Sequence, residues 1–139
     1  MNKYNFVVFI DDDDGVNTFH KIVLNLSGIS EQAKFFDKPE EALDFFKQLK
    51  EDDGLFPEVI FLDINMPRVN GWDFLEKYGK LNIISDTKVV MLTSSLNPED
   101  KERADNNPLV DTYLSKPLSV IHLNEIAGNK ISDETVNKS

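Results

Sequence analysis

Hydrophobic positions in this chain fall into short runs that stop abruptly on polar residues. Phe6-Val7-Val8-Phe9-Ile10 ends at Asp11-Asp12-Asp13-Asp14, Val59-Ile60-Phe61-Leu62 ends at Asp63, and Val89-Val90-Met91-Leu92 ends at Thr93-Ser94-Ser95. Unbroken apolar runs of this length read as strands buried on both faces, as in parallel sheets. Two weaker runs complete the set. Ala33 to Phe36 is more polar and suits a sheet edge; Asp111 to Leu114 is a short last strand closed by Ser115-Lys116-Pro117.

Between the runs the period changes from two to about 3.6. Phe19, Ile22, Val23 and Leu26 recur at i, i+3, i+4 and i+7, the spacing of one apolar helix stripe, and Gly28 can close that helix. Pro39 suits the first turn of a second helix, whose stripe is Ala42, Phe45, Phe46 and Leu49. A third helix from about Trp72 to Tyr78 follows the turn at Val69-Asn70-Gly71. Pro98 to Asp105, with Ala104 as its one apolar residue, predicts a short exposed helix. The last helix carries Val120, Leu123, Ile126 and Ala127, and the polar stretch 129–139 is expected to be a disordered tail after a domain spanning 1–128. His20 and His122 fall on helices and are expected at the surface or the core edge.

Five strands alternating with five helices predict an α/β fold with a parallel sheet and helices on both faces. Right-handed crossovers restrict it to a doubly wound sheet, whose ligands bind beyond the carboxyl ends of the strands. Every unusual polar residue lies at such an end: Asp11 and Asp12, Asp63, Thr93 and Ser94, and Lys116. Carboxylates gathered in this way repel unless a cation sits among them or some are protonated. A hard divalent cation with oxygen ligands, Mg²⁺ above all, is the natural occupant. Three acids, one lysine and one such ion balance to zero formal charge. That arrangement suits phosphoryl transfer, with Asp63 as nucleophile and Lys116 and Thr93 facing the phosphoryl oxygens.

Composition narrows the field. The chain has 139 residues, enough for one domain, and a net charge of −10, which disfavours nucleic acid and anionic membranes as partners. It has no cysteine, hence neither disulfides nor a thiolate metal site. No run approaches a membrane span or a signal peptide, so a cytoplasmic protein is expected.

These motifs together resemble the receiver domain of two-component response regulators. The acidic run after the first strand, Asp63-Ile64-Asn65-Met66-Pro67 with Asn70-Gly71, the Thr93-Ser94 pair and Tyr113-Leu114-Ser115-Lys116-Pro117 carry the likeness, over roughly residues 5 to 128. The resemblance implies a flavodoxin-like sheet of order 2-1-3-4-5. It also implies phosphorylation of Asp63 by a histidine kinase or phosphotransfer protein. Mg²⁺ would be held by Asp12, Asp63 and the main-chain oxygen of Asn65, with Asp11 acting through a metal water. Thr93, Ser94 and Lys116 would stabilise the phosphate, and Thr93 and Tyr113 match the switch residues. Pro67, Gly71 and Pro117 are structural, with Lys116-Pro117 expected cis. If the first strand runs one residue further, Asp13 takes the place of Asp12.

A stand-alone, chemotaxis-type receiver is expected, a monomer or weak dimer that acts by docking to an unidentified target rather than as an enzyme. A haloacid-dehalogenase-type phosphatase would need a second acid at position 65, where this chain has Asn65. A flavodoxin would need a phosphate-binding loop where this chain has four aspartates.

Overall fold

The computed structural model describes residues 4–94 and 96–136. Strands β1 (Tyr4–Ile10), β2 (Ser30–Phe36), β3 (Val59–Asp63), β4 (Lys88–Thr93) and β5 (Val110–Ser115) alternate with helices α1 (Asp14–Ser27), α2 (Pro39–Glu51), α3 (Gly71–Lys80), α4 (Pro98–Asp105) and α5 (Val120–Val136). The strands form one parallel sheet in the order β2-β1-β3-β4-β5. This is the doubly wound, flavodoxin-like architecture that the sequence predicts. β2 lies at the edge and begins at Ser30, three residues before its apolar part. α5 continues to Val136, beyond the boundary drawn at residue 128, and residues 137–139 lie outside the described set.

Side chains of alternate strand residues point to opposite faces, so each central strand feeds two cores. Val8, Ile10, Ile60, Leu62, Val89 and Met91 pack on one face with Phe46 of α2, Phe74 and Leu75 of α3 and Ala104 of α4. Val7, Phe9, Val59, Phe61, Val90 and Leu92 pack on the other with Val23 and Leu24 of α1 and Leu123 and Ala127 of α5. Phe9 stacks on Phe61 at 4.5 Å and on Phe35 at 4.8 Å between ring centroids, across three adjacent strands.

Helix α1 corrects the sequence reading. Of the expected stripe, Val23 is buried, but Phe19, Ile22 and Leu26 are 42%, 53% and 72% exposed. The inward side carries Asn17, His20, Val23 and Leu24 instead. Both ends of the helix set that phase. Asp13 accepts from the N–H groups of Gly15 and Val16, Asn17 Nδ2 donates to the Asp11 carbonyl at 2.8 Å, and Gly28 closes the helix at φ 65°. Asn17 can reach that carbonyl only from the inward face, and the turn of the helix then takes His20 in with it. His20, expected near the surface, is 1% exposed and tilted against Phe9 at 5.1 Å.

Burial, aided by the Lys116 charge, holds His20 down at a pKa of about 4. An unfolded histidine titrates near 6.5, so the unfolded chain takes the proton first as pH falls. The His20 contribution is therefore complete above about pH 6.5 and is lost between there and about 4. Asp63, pushed up to about 6, works in the opposite direction below pH 6, so whole-protein stability conceals both. The difference between wild type and His20→Leu isolates the histidine. Urea melts should show the variant gaining roughly 2 kcal/mol on wild type between pH 7.5 and pH 5; a pH-independent difference would refute this.

Candidate phosphoacceptor site

Strand register brings the polar ends level. Ile10 pairs with Leu62, which puts Asp11 beside Asp63; Thr93 pairs with Ser115, and Lys116 follows. Asp11 and Asp63 are each 2% exposed and Thr93 is fully buried. Lys116 reaches in from the β5 end and bridges the two acids, with Nζ 2.8 Å from Asp11 Oδ2 and 3.0 Å from Asp63 Oδ1. Its own backbone N–H donates to the Thr93 carbonyl at 2.7 Å, and Lys116-Pro117 is cis. Lys116 thus faces Asp63, and Asp11 shares it.

Asp12 is exposed, and one oxygen from each of Asp11, Asp12 and Asp63 lies within 4.8 Å of the others. Strand β1 ends at Ile10, so Asp12 rather than Asp13 joins this cluster. Asp13 is committed elsewhere as the N-cap of α1, and Asp14 is the first helical residue. The backbone N–H of Asp13 returns to Asp11 Oδ1 at 3.0 Å and orients that carboxylate.

Three acids against one lysine leave the site with an excess of negative charge. Burial pushes the Asp63 carboxyl up to about 6, and repulsion from Asp11 adds to it against the pull of Lys116 and the Asn65 N–H. Burial works against the Lys116 ammonium, but its hydrogen bonds and charge pairing with Asp11 and Asp63 prevail and its pKa rises.

The β3–α3 loop seats Asp63. The Asn65 N–H donates to Asp63 Oδ1 at 3.2 Å, and Asn65 Nδ2 donates to Thr93 Oγ1 at 3.2 Å. The Asn65 side chain thus ties two strand ends together, a contact that sequence spacing could not reveal. Pro67 is exposed in the turn; Gly71 is buried where the loop returns. Gly71 N–H donates to the Ile64 carbonyl at 2.9 Å, and a Cβ there would stand 2.7 Å from the Asp63 carbonyl oxygen. Only glycine fits so close to the strand.

Ser94 is exposed just past Thr93. Tyr113, the other residue matched to the switch, is not exposed. It is half-buried, and its hydroxyl is covered with no hydrogen-bond partner among the described residues. Asn17 was missed. It holds the Asp11 carbonyl, and its only sequence signal is a polar residue at an inward helix phase that the sequence alone did not establish.

The model of the response regulator receiver domain matches residues 7–127. A two-component response regulator from Cytophaga hutchinsonii is similar in structure, with a TM-score of 0.84 and 31% identity, covering 94% of this chain and 98% of that one. A response regulator receiver protein from Dyadobacter fermentans superposes with a TM-score of 0.76 at 26% identity, over 89% and 95% of the two chains. Among curated proteins, the probable methanogenesis regulatory protein FilR2 of Methanothrix harundinacea is 26% identical over 118 residues, 82% of this chain and 74% of that protein. The transcriptional regulator RpaA of Synechocystis is 28% identical over 114 residues, but the match spans 44% of its length.

The charge balance at Asp63 can be tested directly. Carboxyl ¹³C shifts in metal-free protein should give an Asp63 midpoint near 6, well above an ordinary aspartate. Lys116→Ala removes the cation that lowers it and should move the midpoint higher; Asp11→Asn should move it lower. A midpoint near 4 in wild type would show that the carboxyl is better solvated than its burial implies.

Proposed function

This chain belongs to the response regulator receiver domain family, and from that premise we propose that Asp63 is its phosphoacceptor. The family implies phosphoacceptance in two-component signalling. The reading for this chain is a cytoplasmic switch that takes a phosphoryl group from a histidine kinase or phosphotransfer protein and changes its protein partner. No helix among the described residues is long and apolar enough to cross a membrane. The observation that carries the proposal is the Lys116 ammonium held between Asp11 and Asp63, beside Thr93 and an acidic cluster.

In the transfer, an Asp63 carboxylate oxygen forms the new O–P bond while the donor's P–N bond breaks. The donor imidazole leaves with the bonding pair. The reaction needs the ionised carboxylate, so the raised Asp63 pKa makes phosphoacceptance by the metal-free protein fall off as pH drops through about 6. Lys116 can shift from bridging two carboxylates to pairing a phosphoryl oxygen without leaving the site. Thr93 and Ser94 offer hydroxyls to the others.

The donor set fits a hard divalent cation: every candidate ligand is an oxygen, and burial together with the Asp11 charge already raises Asp63. Asp12, Asp63 and the Asn65 main-chain oxygen would hold Mg²⁺, with Asp11 acting through a water. When bound, the ion supplies positive charge against the acids and the incoming phosphoryl oxygens.

Phosphorylation takes Asp63 from one negative charge to roughly two and adds acceptor oxygens. Thr93, drawn toward one of them, would give up its place beside Asn65. The Tyr113 hydroxyl, buried without a partner among the described residues, is then the group with most to gain from a rearrangement of the loop after β4. Shifting a two-state equilibrium from 1:99 to 99:1 takes about 5.5 kcal/mol, and a few charge-assisted hydrogen bonds are of that order.

Acetyl phosphate with Mg²⁺ should add one phosphoryl mass, labile to hydroxylamine, and Asp63→Asn should abolish it. Labelling that survives in Asp63→Asn would overturn the assignment. Thr93→Ala should still be labelled but should lose most of the phosphorylation-induced amide shifts in α4 and β5.

By calorimetry, Asp12→Ala should weaken Mg²⁺ binding far more than Asp13→Ala. Asp13→Ala should instead lower stability by about 1 kcal/mol through the lost cap. The reverse order would mean that the ion sits on Asp13.

A further inference from the structure

Helix α4 is joined to the domain with little apolar packing. Ala104 is its buried residue, and Lys101, Glu102, Arg103 and Asp105 are exposed. On the β5 side, cavities of about 390 and 230 Å³ flank the helix, both lined by Lys101 and Tyr113. On the α3 side the contact is close and polar. Trp72 Nε1 donates to Asp100 Oδ1 at 3.1 Å, and the Arg103 guanidinium lies 4.8 Å from the indole centroid. The other oxygen of Asp100 accepts from Asn97 Nδ2 at 2.9 Å, and Asn97 Oδ1 caps the Asp100 N–H at 2.8 Å. One carboxylate therefore joins the N-terminus of α4 to the indole.

The indole itself is anchored to the site. Trp72 is 6% exposed and follows Gly71, whose N–H is bonded to the Ile64 carbonyl and whose Cα lies against the Asp63 backbone. Helix α4 is thus tied to the Asp63 strand through Trp72, and it follows Thr93 closely in the chain.

We propose that Trp72 is a clasp that holds α4 in its present position and biases Asp63 toward the unphosphorylated state. The proposal rests on Asp63 being the phosphoacceptor. If Thr93 is drawn inward, the chain leading from it pulls on α4, and the hydrogen bond and the cation–π contact at Trp72 resist. A contact made in one of two states favours that state, and the coupling is reciprocal. Loosening the clasp therefore raises affinity for whatever occupies the phosphorylated site. The cavities beside Tyr113 give α4 room to move.

The test is the affinity for beryllofluoride, an aspartyl phosphate mimic, in the presence of Mg²⁺. Trp72→Phe keeps an aromatic ring in place and removes the N–H; Asp100→Ala acts from the half-exposed side and guards against misfolding of the first variant. Each should bind beryllofluoride about three- to tenfold tighter than wild type, the effect of losing one hydrogen bond. The double variant should bind no tighter than the better single one, because both remove the same bond. In wild type, Trp72 emission should shift on adding beryllofluoride, and Asp100→Ala should show much of that shift beforehand. Unchanged affinity in both single variants, or additive effects in the double one, overturns the clasp. If wild type fails to bind beryllofluoride, the reading of Asp63 falls and the clasp with it. If wild type binds and Asp63→Asn does not, equal affinities in the variants overturn the clasp alone.

Discussion

Two almost fully buried carboxylates share one ammonium, and the strand ends are arranged to permit it. Asp11 and Asp63 come from neighbouring strands, and Lys116 reaches them from the far edge of the sheet. Leaving either acid ionised and unpaired at 2% exposure would be strongly destabilising. The pairing demands that β1, β3 and β5 end level, that Gly71 let the β3–α3 loop close on the strand, and that Asp13 and Asn17 hold the Asp11 backbone. The lysine nevertheless does not neutralise the site. Asp63 remains raised to about 6, chiefly by burial and further by Asp11, and a cation beside it would favour the ionised form.

The cost of shaping that end of the sheet is visible in α1. The helix turns polar Asn17 and His20 inward and leaves Phe19, Ile22 and Leu26 in solvent. His20 is accepted as a neutral ring against Phe9, with both nitrogens unpartnered among the described residues. An apolar residue would be less costly at that position. The helix phase is thus decided by the polar contacts at its N-terminus, against the preference of its own apolar stripe.

Helix α4 stands at the other extreme, placed by side-chain polar contacts rather than by a buried face. Trp72 is counted among the core residues, yet its N–H and ring face serve Asp100 and Arg103. A helix held in this way can be displaced without opening the core, since Ala104 is the main apolar contact it would give up.

Most of the architecture was legible in the sequence because strands buried on both faces must be apolar throughout, and so announce their ends. Phe6 to Ile10, Val59 to Leu62 and Val89 to Leu92 placed Asp11, Asp63 and Thr93 at one edge, and alternation with helices made the sheet parallel. What no local pattern carries is which partner a side chain meets across the sheet. The phase of α1, the sharing of Lys116 between two acids, the Asn65–Thr93 and Trp72–Asp100 bonds and the covered Tyr113 hydroxyl were all decided by tertiary structure. Each depends on distances between residues far apart in the chain, which the packing of both cores sets and hydrophobic periodicity does not encode.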